Sequence, residues 1–182
     1  MVDTVAPTAP PSRFVFTQEH EELRRSIRAF VDREIVPHVD EWEETTFPDS
    51  IVRRMGELGF LGLSVPEEYS GQGGDYFTNL ILAEEMGRSG CGGLLMGLSV
   101  HTDMATPPIL QFGTEEQKRR WVTPGVRGEQ IYSLGITEPD AGSDVAAIRT
   151  RAVRDGDEWV INGSKTYITN GHRAKMIVLV TK

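Results

Sequence analysis

The earliest strong pattern in the chain is a helical spacing of apolar residues that begins after Thr17. Apolar side chains recur every three or four positions as far as Pro37, at Leu23, Ile27, Phe30, Val31 and Ile35. This spacing predicts an amphipathic helix, and acidic residues crowd its first turns, where the helix dipole favours negative charge. Pro37 is expected to end the helix.

Four further helices are predicted, over residues 48–59, 76–88, 94–105 and 114–121. The third is expected to stop before Pro107-Pro108, because proline disrupts a helix interior. The last opens with Thr114 and Gln117 at the spacing of a capping box. Residues 60–75 show no regular period and are expected to be irregular.

After Pro124 the pattern changes from helical to β-rich. Strands are predicted over residues 131–137, 149–154, 158–161, 165–169 and 176–181. They are separated by turn signals at Asp155-Gly156, Asn162-Gly163 and Asn170-Gly171, which tolerate a positive φ. These signals predict an antiparallel sheet, and helices that precede strands indicate an α+β fold class.

Three regions follow from these patterns. Residues 1–13 are expected to be a disordered Pro/Ala tail, residues 14–128 an N-terminal all-α helical domain, and residues 129–182 part of a β-domain. The final strand reaches Lys182 without further partners to cover its edge. The β-domain is therefore expected to be incomplete within this chain.

Composition excludes several functional classes. Nineteen basic and 27 acidic residues give a net charge of -8, which argues against nucleic-acid binding. The single cysteine, Cys91, excludes an intramolecular disulfide and fits a reducing cytoplasmic setting. The apolar run at residues 176–180 is too short to cross a bilayer, so no membrane association is expected.

The densest polar segment is the loop at residues 137–144, directly after an apolar strand. Its small residues, including Gly142 and Ser143, allow an anion-binding turn, although a plain strand-ending turn explains them as well. Glu138 is either a general base or a residue that orients the loop through backbone hydrogen bonds. The four histidines lack metal-ligand spacing, so no metal site is predicted and each is interpreted as a surface or capped residue.

A second candidate segment contains Tyr167 and Thr169. If residues 165–169 form a strand, the ring and the hydroxyl lie on the same face, where a flat ligand can stack. A cross-strand packing pair followed by a hairpin turn explains the same residues.

Three ordered motifs decide between these alternatives. They are Phe112-Gly113-Thr114-Glu115-Glu116-Gln117-Lys118, Leu134-Gly135-Ile136-Thr137-Glu138-Pro139-Asp140-Ala141-Gly142-Ser143-Asp144 and Ile161-Asn162-Gly163-Ser164-Lys165-Thr166-Tyr167-Ile168-Thr169-Asn170-Gly171. Together they resemble the acyl-CoA dehydrogenase family, and the resemblance extends over the helical front of the chain, including Val65-Pro66-Glu67-Glu68-Tyr69-Ser70-Gly71.

The resemblance implies a helical N-terminal domain, a middle β-domain and a C-terminal helical bundle that is absent from this chain. It implies FAD as cofactor, with Leu134, Gly135, Ile136, Thr137, Gly142, Ser143, Tyr167, Ile168 and Thr169 as its binding residues. Thr137 would bond the isoalloxazine, Thr169 would reach toward N5, and Ser143 would also contact acyl-CoA. Many relatives have Trp at the position of Tyr167, and the tyrosine ring still provides an aromatic surface there.

The activity implied is α,β-dehydrogenation of an acyl-CoA thioester, as in β-oxidation of fatty acids. In this family a glutamate from the C-terminal region removes the α-proton, so no catalytic residue is assigned here and the isolated chain is expected to be inactive. Electron-transfer flavoprotein is the expected acceptor, and a homo-oligomer, a tetramer or dimer, is expected. The alternatives are a flavin oxidase or monooxygenase on the same scaffold, and a non-catalytic assembly subunit.

Overall fold

The computed structural model describes residues 16–182, and the predicted tail at residues 1–13 lies outside them. The described part contains seven α-helices followed by four short strands. The helices are α1 (Gln18–Phe30), α2 (Val39–Glu44), α3 (Asp49–Glu57), α4 (Tyr76–Gly87), α5 (Gly92–Ser99), α6 (Thr106–Phe112) and α7 (Glu115–Val126). The strands are β1 (Tyr132–Gly135), β2 (Arg151–Asp155), β3 (Glu158–Asn162) and β4 (Met176–Leu179). The α+β fold class is confirmed.

Helix α1 follows its predicted pattern closely. Thr17 accepts a hydrogen bond from the His20 backbone N–H, and His20 Nδ1 accepts one from the Thr17 N–H, which completes a capping box. A π-helical turn, Val31–Ile35, extends the helix toward Pro37. Its apolar face forms the centre of the main core, where residues from α1, α3, α4 and α5 pack together: Ile27, Phe30, Ile35, Met55, Ile81 and Leu94.

The prolines interrupt the helices less than expected. The predicted helix at residues 94–105 is α5 plus a π-helical turn, Val100–Ala105, and α6 begins again at once with Pro107 and Pro108 in its first turn. A missing N–H costs little there, since the first turn has no intrahelical acceptors. Pro124 lies inside α7, which continues to Val126, so this helix extends past its predicted end at residue 121.

The strands do not form one antiparallel sheet. β2 and β3 form the predicted antiparallel hairpin, with Gly156 at a φ of 60° in its turn. β1 and β4, however, pair in parallel, from Tyr132 opposite Met176 to Gly135 opposite Leu179. Parallel pairing requires a crossover, and the long segment between β1 and β4 provides it.

The predicted strand at residues 165–169 is also wrong. Thr166 bonds the backbone of residue 137, but Tyr167 has a φ of 54° and Asn170 a φ of 63°, which breaks the extended conformation. Tyr167 and Thr169 are therefore not two residues on one face of a strand. The segment instead turns along the end of β1.

His101 links the helical part to β1. It is buried, and its Nε2 lies 3.1 Å from the Gly125 carbonyl oxygen while its Nδ1 accepts the Tyr132 N–H at 3.1 Å. Because the Tyr132 N–H can only donate, the ring proton lies on Nε2 and the imidazole is neutral. This corrects the expectation of a surface or capped histidine at this position.

Candidate functional site

Two segments that are distant in sequence meet at the end of β1. We refer to residues 134–137 and 166–169 as the two-segment wall. The backbone N–H of Thr166 donates to the Thr137 carbonyl at 2.9 Å, and the Ser133 hydroxyl donates to the Thr169 carbonyl. The loop motif and the aromatic motif are thus brought together, although they are not paired strands.

The aromatic side chain of the wall faces outward. Tyr167 is 92% exposed, and its positive φ directs the chain away from the extended path of a strand. The hydroxyl residues Thr137 and Thr169 are half-buried beside it. An exposed ring held by fixed backbone provides a flat surface on which a planar group can stack.

The Thr137 amide completes the polar part of the wall. Within residues 16–182, no group accepts a hydrogen bond from its backbone N–H, although its carbonyl is paired with Thr166. An unpaired donor beside an exposed aromatic ring fits the isoalloxazine of FAD, which presents acceptor atoms around a flat ring system. The described residues therefore fit the cofactor that the resemblance implies.

The loop that follows β1 is closed by backbone hydrogen bonds at its base and exposed at its tip. Glu138 and Ala141 exchange two backbone hydrogen bonds, of 2.8 and 3.2 Å, which close a tight turn. Gly142 and Ser143 are exposed, and no atom lies within 4 Å of the position that a Cβ on Gly142 would occupy. The tip can therefore approach a ligand closely, as an anion-binding turn requires.

Glu138 is a structural residue in this arrangement. Its carboxylate accepts hydrogen bonds from the Arg149 N–H at 2.6 Å, from the backbone and hydroxyl of Thr150, and from Lys165 Nζ at 2.9 Å. The Thr150 hydroxyl is the largest influence that lowers the pKa of Glu138, to about 2, with Lys165 and the two backbone donors adding to it against the effect of burial. Of its two predicted roles, orientation of the loop is the one that this geometry supports.

Lys165, Thr150, Ser133 and Asn170 are residues of the site that the sequence analysis did not assign. Lys165 precedes Tyr167 by two positions, and its side chain is buried. Its ammonium donates hydrogen bonds to the Glu138 carboxylate and to the Ile136 carbonyl oxygen. Its place inside the third motif was the available signal. The sequence predicts Asn170 only as a turn residue, but its side-chain amide also donates to the Gly97 carbonyl in α5.

Residues 16–182 lack the features of two other classes of site. No group of three or more His, Cys, Asp or Glu side chains in this range is arranged to hold a metal ion. No helix in the same range combines the length and apolarity needed to cross a membrane. Cys91 is buried, and burial is the main cause that raises the pKa of its thiol.

Two family models match the chain almost from end to end. The acyl-CoA dehydrogenase N-terminal domain matches residues 17–129, and the acyl-CoA dehydrogenase middle domain matches residues 133–182. A probable acyl-CoA dehydrogenase of Bacillus subtilis, YngJ, is 39% identical over 167 residues, which cover 91% of this chain and 44% of the relative.

Solved structures agree with these matches. An acyl-CoA dehydrogenase from Geobacillus kaustophilus superposes with a TM-score of 0.87 at 41% identity, over 93% of this chain and 44% of that one. An acyl-CoA dehydrogenase from Bacillus anthracis, solved in complex with FAD, gives a TM-score of 0.87 at 32% identity, over 94% of this chain and 30% of that one. The chain thus spans less than half the length of these relatives, and it belongs to the acyl-CoA dehydrogenase family.

Proposed function

We propose that this chain is the N-terminal part of an FAD-dependent acyl-CoA dehydrogenase, with residues 14–128 as its helical domain and residues 129–182 as part of its middle β-domain. The observation that carries the proposal is the two-segment wall, where an exposed Tyr167 ring lies beside a Thr137 amide that has no acceptor among residues 16–182. FAD bound in a structural relative supports the same cofactor here.

The residues of this chain bind and orient the cofactor. The Thr137 amide and hydroxyl would donate hydrogen bonds to the isoalloxazine, Tyr167 would cover one face of its ring, and Thr169 would lie toward N5. Backbone at Leu134, Gly135, Ile136 and Ile168 shapes the wall between them. When bound, FAD supplies the acceptor for the two electrons removed from the acyl chain.

The tip of the loop serves the phosphates and the substrate. Gly142 lets backbone amides approach the pyrophosphate, because its position is open, and Ser143 lies between FAD and acyl-CoA. No side chain of residues 16–182 is assigned as the base that removes the α-proton. The family resemblance implies that this base comes from a C-terminal region, so the 182-residue chain alone is expected to be inactive.

The remaining assignments concern the whole protein. Acyl-CoA is the proposed substrate, electron-transfer flavoprotein the proposed acceptor, and a homo-oligomer of two or four subunits the proposed assembly. A cytoplasmic location and a place in β-oxidation belong to the same proposal. The location rests on the single cysteine, Cys91, which fits a reducing compartment, and the other assignments rest on membership of the family.

The experiment is an anaerobic half-reaction on the purified protein that contains this chain. Its intact mass and visible spectrum are recorded, the extracted flavin is identified, and acyl-CoA thioesters of different chain lengths are added without oxygen. We expect one FAD per chain, bleaching of the flavin band and formation of the α,β-unsaturated thioester.

Admission of oxygen separates the alternatives. Slow reoxidation supports a dehydrogenase, whereas rapid reoxidation of the reduced flavin identifies an oxidase or monooxygenase. Protein that is folded but carries no flavin in any preparation contradicts the proposal and favours a non-catalytic assembly subunit.

A further inference from the structure

A buried ion pair lies directly behind the two-segment wall. Lys165 Nζ is 2.9 Å from Glu138 Oε1, and the two side chains are 9% and 6% exposed. The same ammonium donates to the Ile136 carbonyl oxygen at 2.8 Å. Lys165 therefore connects the segment that carries Tyr167 to the peptide group at the end of the other segment.

Glu138 holds this lysine in place. Its carboxylate also accepts from the Arg149 and Thr150 backbone amides at 2.6 and 2.9 Å, and from the Thr150 hydroxyl. Four donors from residues 149, 150 and 165 thus converge on one buried carboxylate that begins the loop after β1. A buried carboxylate with this many hydrogen-bond partners is held in one position, because moving it would leave buried donors unpaired.

The bond from Lys165 falls on a particular peptide group. The Ile136 carbonyl belongs to the same peptide unit as the Thr137 N–H, which has no acceptor among residues 16–182. A cation that donates to a carbonyl polarises the amide and makes its N–H a stronger donor. The charge of Lys165 therefore acts on the Thr137 amide, a wall amide that has no acceptor among residues 16–182.

We propose that Glu138 and Lys165 are positioning residues that fix the two halves of the wall and strengthen the Thr137 amide as a donor to the flavin. This inference rests on the proposed function, because it needs FAD at the wall. A stronger donor stabilises the electron-rich reduced flavin more than the oxidised form, and so raises the reduction potential of the bound cofactor.

The test compares Lys165→Met with Lys175→Met in the whole protein. Both substitutions remove one lysine charge, but the Lys175 side chain is exposed and lies outside the wall. FAD content per chain and the two-electron reduction potential of bound FAD are measured for both. We expect Lys165→Met to lower the FAD content severalfold and to shift the potential to a more negative value, with Lys175→Met unchanged.

Two further variants keep the test decisive if Lys165→Met fails to fold. Lys165→Arg retains a cationic donor and is expected to restore part of the potential. Glu138→Gln, compared with Glu158→Gln on the exposed β3 strand, is expected to reduce FAD content while it shifts the potential less, because Lys165 can still reach Ile136.

The outcomes distinguish failure of this inference from failure of the proposed function on which it rests. Wild-type protein without FAD overturns the proposed function. If wild-type protein binds FAD but the Lys165→Met and Lys175→Met variants have equal FAD content and equal reduction potential, the positioning role of Glu138 and Lys165 is overturned and the proposed function is not. A loss of thermal stability with an unchanged potential would also overturn it, because a merely structural role would give that result.

Discussion

The Asn170 side-chain amide donates to the Gly97 carbonyl oxygen at 2.8 Å, and so joins the end of the aromatic motif to helix α5. The same amide nitrogen lies 3.3 Å from the Tyr132 carbonyl in β1. Asn170 is buried, with a φ of 63° that few residues other than glycine adopt. One residue thus links the wall to the helical part and needs both its amide and its backbone conformation.

Asn170→Gly is expected to lower the free energy of unfolding by about 1–3 kcal/mol, because the Gly97 and Tyr132 carbonyls lose a buried donor. Asn170→Ala should cost more, since alanine adds strain at a positive φ. Urea denaturation of both variants measures the difference. Asn162→Gly, on an exposed strand end, is the control, and an Asn170→Gly variant as stable as this control would contradict the link.

Helix α1 is joined to α4 through Glu85, which is 1% exposed and pairs with Arg24, Arg28 and Arg88. Hydrogen bonds, chiefly from Arg28 and then Arg24, lower the pKa of Glu85 from 4.5 to about 2, against the opposing effect of burial. A carboxyl whose pKa is lower in the folded state stabilises the fold above pH 4.5. That contribution is lost as the pH falls through 2.

Glu85→Gln should therefore destabilise the protein by about 3 kcal/mol at pH 7, and the gap to wild type should narrow as the pH falls from 4.5 toward 2. Denaturation curves at several pH values measure this gap. Glu84→Gln is the matched control, because Glu84 is its neighbour and also pairs with Arg24 but is 46% exposed. If the difference in unfolding free energy between wild type and Glu85→Gln does not change with pH, the ionised Glu85 carboxylate is not the cause of the destabilisation.

His101 predicts a second pH dependence in a different window. Burial is the main cause that lowers its pKa from 6.5 to about 4. Between these values the unfolded chain binds the proton and the folded chain does not, so stability falls as the pH drops from 6.5 to 4. The expected loss is about 3 kcal/mol over that range.

Histidine ring signals in NMR spectra at pH 5.5 test this directly. We expect His101 to remain neutral, with its proton on Nε2. His101→Gln should remove the pH dependence of stability in this window, and His172→Gln should leave it in place. A protonated His101 ring at pH 5.5 would be incompatible with the proposed bonds.

Substitution of Tyr167 is expected to affect FAD binding but not folding, because its ring is 92% exposed and packs against little of the protein. Tyr167→Ala should change the stability of the FAD-free protein by no more than about 0.5 kcal/mol, but weaken FAD binding about threefold to tenfold. Tyr167→Trp should bind at least as tightly as wild type. Fluorescence titration of the apoprotein with FAD gives these affinities.

Trp159→Ala is the control for Tyr167→Ala, since Trp159 is another exposed aromatic residue, 64% exposed, on the β2–β3 hairpin. Its removal should leave FAD affinity unchanged. Equal effects at both positions would mean that Tyr167 does not stack on the cofactor.

Local patterns predicted α1, α3, α4, α5 and α7, because the signals of these helices are local, but they did not predict the short helices α2 and α6. The apolar spacing of α1 and the capping residues Thr17 and Thr114 act within one or two turns. The hairpin turn at Gly156 is local for the same reason. Proline positions were less informative, since Pro107, Pro108 and Pro124 are tolerated where they remove few helical bonds.

The pairing of β1 with β4 could not be predicted in this way. It depends on contacts between residues 132–135 and 176–179, and no short-range signal fixes whether such strands run parallel. Tyr167 and Asn170 have positive φ values that a β-like composition conceals. The bonds from Lys165 to Ile136 and Glu138 likewise join residues about thirty positions apart, so only the assembled fold brings them together.

A crystal structure of the whole protein with FAD bound tests the central claim most directly, through the distance from the Thr137 amide nitrogen to the nearest isoalloxazine acceptor. We predict a distance of about 2.7–3.2 Å, with the Tyr167 ring against one face of the flavin. FAD bound away from residues 134–137 and 166–169, or a Thr137 amide that faces no flavin atom, would contradict the account.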